Sequence, residues 1–183
     1  VSRTVSATWR SISQFTTSSS DFETETGTLG LDYSWPLTEF QSVRMGFAAQ
    51  RSDLFTDPNS SAAEALYWVQ NNGNTYTEVQ NVGIPPIALT YYGTRFDTFE
   101  YSLGWSYDSR NRALFADRGS RHRLSASYAL PFSDIDFVSF NYDYLQFIPV
   151  SKWFTLMFNS EAGYGQALGD TTSMPPYRRF FAG

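Results

Sequence analysis

The chain has 183 residues, no cysteine, one histidine and a single lysine, Lys152, which removes disulfides, thiolate catalysis and cysteine metal sites from consideration. Its net charge of −5 and pI near 4.8 argue against a nucleic-acid surface, which is basic overall. Aromatic residues make up 18% of the chain, yet no apolar run approaches the ~18 residues of a membrane helix, and no basic-then-apolar leader opens it.

The dominant pattern is period two, which puts alternate side chains on opposite faces of an extended strand. Val5, Ala7, Trp9 and Phe15 alternate with Thr4, Ser6, Thr8, Arg10 and Gln14, predicting a first strand over 1–15 that Ile12 interrupts in pattern only. A polar link, 16–24, leads to the clearest case. Leu29, Leu31, Tyr33, Trp35 and Leu37 share one parity against Thr28, Gly30, Asp32 and Ser34, giving a strand over 25–37. After a short link at 36–41, Val43, Met45, Phe47 and Ala49 oppose Arg44, Gly46 and Gln50 in a third strand over 41–52.

A long insertion, 52–95, follows. Within it Ser61-Ala62-Ala63-Glu64 has capping-box form ahead of Ala65-Leu66-Tyr67-Trp68-Val69, which predicts a short surface helix. Asn71-Asn72-Gly73 is expected to stop that helix, and Pro85-Pro86 to keep the next segment irregular.

Four more strands are expected beyond it. Phe99, Tyr101, Leu103, Trp105 and Tyr107 face away from Glu100, Ser102, Gly104 and Ser106; Leu124, Ala126, Tyr128 and Leu130 face away from Arg121, Arg123, Ser125 and Ser127. Val138, Phe140, Tyr142 and Tyr144 oppose Ser139, Asn141 and Asp143, and Phe154, Leu156, Phe158, Ala162 and Tyr164 oppose Thr155, Asn159, Glu161 and Gly163. The expectation is therefore an all-β, antiparallel protein of about seven strands.

Strand length separates a soluble sandwich from a membrane barrel. Soluble strands run about five to six residues, whereas a tilted membrane strand needs ~9–11. Most of these segments are that long, and rings such as Trp35, Trp105, Tyr107, Tyr144 and Tyr164 are placed to form interfacial girdles. The polar parity suits a wet lumen. Backbone groups in hydrocarbon must all be paired, so a sheet spans only if it closes, and seven strands do not make the even-numbered bacterial barrel. The expectation is a portion of a larger transmembrane barrel.

Candidate chemistry is sparse. His122 shares parity with Leu124, Ala126 and Tyr128, away from Ser125 and Asp143, which places it as an interfacial aromatic and not as a general base. Asp21, Glu23 and Glu25, and again Asp53, Asp57 and Asn59, lack the spacing of a calcium loop and read as solvated carboxylates. Arg110, Arg112, Arg118, Arg121 and Arg123 read as a solvated turn running into a polar lumen. Gly163-Tyr164-Gly165 lies in a strand, so it is no phosphate loop; its glycines bend the sheet or leave room for an occupant of the lumen.

Two segments resemble a known family. Asp108 with Phe115 and Gly119 is similar to the Asp-x6-Phe-Pro-x-x-Gly hairpin of the Omp85 family, with Ala116 where the family commonly has proline. Glu161 to Gly165, followed by Pro175-Pro176-Tyr177-Arg178-Arg179-Phe180-Phe181-Ala182-Gly183, resembles the strand and entry segment of the family's loop 6. The resemblance implies roughly strands five to eleven of a sixteen-stranded barrel in the outer membrane of a Gram-negative bacterium. Pro175, Pro176, Tyr177, Phe180 and Gly183 would form the loop entry, and the loop tip, POTRA domains and remaining strands would lie outside this stretch. It further implies an insertase, without enzymatic activity or cofactor, that folds outer-membrane proteins. Its partners would be membrane lipids, unfolded barrel substrates and lipoproteins reached through the POTRA domains. The alternatives are a TamA-like or two-partner secretion member of the family, a passive porin, or a barrel hydrolase.

Overall fold

The computed structural model describes residues 2–14, 22–56, 63–83, 86–112, 114 and 116–178. In chain order they form β1 (Ser2–Gln14), β2 (Phe22–Pro36), β3 (Gln41–Thr56), α1 (Ala63–Asn71), β4 (Asn74–Val82), β5 (Ile87–Asp108), β6 (Gly119–Ala129), β7 (Phe137–Pro149), β8 (Thr155–Ala167) and one 3-10 turn at Pro176–Arg178. All strands join one antiparallel sheet in the order β1-β2-β3-β5-β6-β7-β8, with β4 paired to β5 alone. The sheet is open, with β1 and β8 at its edges.

The alternation places the faces as expected. Leu29, Leu31, Phe47, Leu103, Leu124, Phe140 and Phe158 all stand exposed on the outer face. Across the same strands the inner face carries Asp32, Gly46, Ser102, Ser127 and Ser139, which are register partners in one continuous row. Gly46 leaves room in that row: a Cβ would sit 2.4 Å from Ser102 Oγ and 2.8 Å from Asp32 Oδ1, so a larger residue would turn those two side chains aside.

Two of the short turns use one device. Thr38 Oγ1 accepts hydrogen bonds from the amides of Phe40 (3.3 Å) and Gln41 (3.1 Å), and Ser151 Oγ accepts from Trp153 and Phe154, both at 3.2 Å. A side-chain oxygen thereby satisfies amides that the ladder leaves free. Short turns mark the periplasmic end of such a barrel and the long insertion its extracellular end.

About seven strands were expected, and the described residues form those seven with one short addition, β4. The addition comes from the insertion: β3 runs on to Thr56, β5 starts at Ile87, and β4 pairs with β5 from Asn74↔Arg95 to Val82↔Ile87. Pro86 therefore bounds a turn between two strands instead of loosening the segment. The helix forms, and its stop signal works through named bonds. Asn71 Nδ2 donates to Tyr67 O (2.7 Å), Asn72 Nδ2 donates to Trp68 O (2.9 Å), and Gly73 takes φ 67°. Ser61 lies outside the described residues.

The burial pattern inverts above the membrane. Up to Ala49 on β3 and down from Phe99 on β5, apolar side chains face out. Beyond those points Leu54 and Phe96 turn into a core with Trp68, Val69, Ile135 and Phe137, each at most 1% exposed, while Arg51, Asp53, Arg95 and Asp97 form ion pairs outside. From Gln41 to Arg51 β3 rises about 33 Å along its axis. At a ~40° tilt that is about 25 Å along the membrane normal, the height of an outer-membrane apolar band.

Candidate functional site: an occupied inner face

The core just described is a seat for a strap of chain. After β8, Gly169 adopts φ 57° and turns residues 168–178 back over the inner face. A Cβ there would come within 2.9 Å of Asp136 Oδ2, so the turn needs glycine. The strap is then tied at successive points. Leu168 N donates to Asp136 O (2.9 Å), and Asp136 N donates to Thr171 Oγ1 (2.8 Å). Asn72 clamps Thr172 twice, its Nδ2 donating to Thr172 Oγ1 (2.6 Å) and its Oδ1 accepting from Thr172 N (2.9 Å). Trp68 Nε1 donates to Ser173 O at 2.8 Å.

Beyond Ser173 the strap packs. Pro175 and Pro176 are buried, and Tyr177 stacks on Phe96 with ring centroids 6.3 Å apart, while Trp68 meets Phe96 edge-on at 5.5 Å. The strap ends on a charge. Arg178 forks onto Glu100 (Nη2 to Oε2 2.6 Å, Nη1 to Oε1 3.2 Å), touches Gln50 Oε1 at 3.3 Å, and lies 4.9 Å over the Phe137 ring. Both side chains are largely shielded, at 25% and 13% exposure. A paired charge in such surroundings is costly to orphan, about 3–5 kcal/mol when one partner is removed.

Of the expected loop-entry residues, Pro175, Pro176 and Tyr177 sit in this seat, while Phe180 and Gly183 lie outside the described residues. The expected hairpin residues form a separate structure at the periplasmic end. Asp108 receives Arg110 Nε (2.9 Å) and Nη2 (2.7 Å), whose hydrogen bonds hold its carboxyl below the usual carboxylate range. Asn111 bridges to Asp117 and Arg118, and Gly119 takes φ 101° with its would-be Cβ 2.4 Å from Ser109 O. Phe115 lies outside the described residues. The arginine run is thus partly spent inside its own turn.

Glu100, Gln50, Asn72, Trp68 and Phe137 were not foreseen as partners of the strap. One signal was available: Glu100 is followed on the inner parity of β5 by Ser102, Gly104 and Ser106, and the next acidic residue there, Asp108, stands at the far end of the strand. A lone carboxylate among small neutral neighbours calls for a cation from elsewhere.

His122 lies where parity put it. Its Nδ1 is 2.8 Å from Tyr142 Oη, and the rings of Trp105, Tyr107, Tyr142 and Tyr144 surround it at 4.8–6.4 Å. Asp53 is engaged by Tyr76 and Arg95, whereas Asp21, Asp57 and Asn59 lie outside the described residues.

Comparison with known proteins covers the whole chain. The family description "Omp85 superfamily domain" matches residues 1–183. The outer membrane protein assembly factor BamA of Neisseria meningitidis is 29% identical over 168 residues, which is 91% of this chain and 19% of that protein. The crystal structure of Haemophilus ducreyi BamA lacking POTRA domains 1–3 superposes with a TM-score of 0.77 at 17% identity, covering 99% of this chain and 32% of that one. The chain spans about a fifth of the length of the curated relative it matches.

Proposed function

This chain belongs to the Omp85 superfamily, and from that premise we propose that it is wall and loop root of a BamA-like insertase, which folds other barrel proteins into the outer membrane of a Gram-negative bacterium. The observation that carries the reading is the occupied inner face. A passive porin keeps a water-filled channel, whereas here the chain's own residues 168–178 are fastened across the lumen side and end on the Arg178–Glu100 pair.

In this reading the wall holds the entry of loop 6 in register, and the sheet's outer row contacts lipid. Unfolded barrel proteins are the substrates, and lipoproteins engage through POTRA domains. The work needs no bound cofactor and no catalytic residue. A TamA-like or two-partner secretion member would share this wall, so cells must decide.

Depleting the native protein should lower the amount of assembled, heat-resistant porin, and the intact gene should restore it. Glu100→Arg and Arg178→Glu should each restore it poorly and expose the strap to protease, while the two together should recover both. Normal porin levels after depletion would remove the insertase reading. Loss confined to one secreted partner would instead favour the secretion transporter.

A further inference from the structure

On the outer face, where the burial pattern inverts, two hollows lie side by side. The lower is about 640 Å³ and is walled by Ala7, Trp9, Leu29, Ala49 and Phe99, with Arg51 and Asp97 at its rim. The upper is about 260 Å³ and is lined by Trp9, Glu25, Arg51, Asp53 and Arg95. They share Trp9 and Arg51. Trp9 lies over Gly27, where a Cβ would come within 2.3 Å of the indole ring. The missing side chain is what lets the ring lie flat on the sheet between the hollows.

The two arginines are held but not used up. Arg51 reaches Asp97 through Nε (2.7 Å) and Nη2 (2.6 Å), and Arg95 reaches Asp53 through Nε (3.2 Å) and Nη2 (2.7 Å). In each guanidinium the Nη1 edge takes no part in the pair, and the side chains are 65% and 60% exposed. Anchoring by carboxylates fixes both forks in place, so little side-chain entropy is left to lose on binding.

We propose that these adjacent hollows bind one outer-leaflet lipid with a phosphorylated sugar head. This rests on the outer-membrane placement and not on the insertase activity. An acyl chain fills the lower, apolar hollow. Phosphate oxygens accept from the free edges of Arg51 and Arg95. The carboxylates of Glu25, Asp53 and Asp97 select the rest of the head: a bare phosphate dianion meets three negative groups, whereas sugar hydroxyls donate to them. A phosphorylated glycolipid satisfies both signs of the lining, and a simple anionic phospholipid satisfies one. The level is right as well, since Arg51 stands one apolar-band height above the periplasmic turn at Gln41.

The test is retention of lipid by the intact protein, purified into bilayer discs and counted by native mass spectrometry. Discs contain phosphorylated disaccharide glycolipid, the same glycolipid without phosphate, or phosphatidic acid, whose head offers phosphate and no hydroxyl donors of a sugar. One phosphorylated glycolipid should stay bound, and the other two should be held about tenfold more weakly. Arg51→Gln with Arg95→Gln should cost about tenfold, and Arg51→Lys with Arg95→Lys should cost less. Leu29→Trp, which fills the lower hollow and leaves every charge in place, should also release the lipid. Equal retention of phosphatidic acid or of the phosphate-free glycolipid, or undiminished retention in the glutamine pair or in Leu29→Trp, overturns the proposal. Porin assembly measured on the same variants reports separately on the insertase reading.

Discussion

Two stretches of one strand, β5, live under opposite rules. From Phe99 to Tyr107 its odd residues are apolar and face outward, while Glu100, Ser102 and Gly104 face in; from Arg95 to Asp97 the buried apolar residue, Phe96, faces in and the charges face out. The backbone is the same. What changes is the solvent on the outer face, hydrocarbon below and water above, and the identity of the side chains follows it. Apolar character therefore marks the core only where water is outside, and marks the outer surface where lipid is.

The comparison breaks most severely in the upper region. Phe96→Ala removes a ring buried between Trp68 and Tyr177 and should cost about 3–5 kcal/mol, read as a lower thermal midpoint of the heat-resistant band together with protease cleavage within 168–178. In the lower region the equivalent insult is a charge on the lipid side. Leu103→Arg should destabilise by ~2–4 kcal/mol in refolding titrations in lipid, while Ser102→Arg, one residue away and facing the lumen, should cost much less. Equal costs for the two would mean that the faces are misassigned. The smallest effect lies at the periplasmic turn, outside both regions. Arg110 depresses the Asp108 carboxyl, so the pair's contribution is complete above the ordinary carboxylate value near ~4 and is lost as pH falls through the lowered one. Because the pair is partly exposed, Asp108→Asn should cost well under ~1 kcal/mol at neutral pH and nothing further in acid, as compared by unfolding at both pH values.

The same inversion explains what could be read from sequence. Strands were legible wherever lipid imposed one apolar parity, as in Leu29-x-Leu31-x-Tyr33-x-Trp35. They faded at Ser52 and reappeared at Phe99 because between those residues the apolar parity switches face: Leu54 and Phe96 are of the parity that lower down is polar. β4 was missed for a related reason. Asn74 to Val82 holds β-forming Thr75, Tyr76, Thr77 and Val79, but both of its faces are largely wet, so neither is selected to be apolar. The helix and its Asn-Asn-Gly stop were legible because caps are local. The seat was not, since Asn72 meets Thr172 and Gln50 meets Arg178 across 100 and 128 residues, and no spacing rule connects them.

Those long separations also bear on how the core is built. Every wall of the seat, from Leu54 through Trp68 and Phe96 to Phe137, precedes residues 168–178 along the chain. Closing loops of a hundred residues costs entropy before any contact repays it, so docking of the strap is the most non-local step in building this core. The same residues that fasten it, Asn72, Trp68 and Glu100, therefore tie the fate of the inner face to a segment about a hundred positions away along the chain, and a fault in either is felt in both.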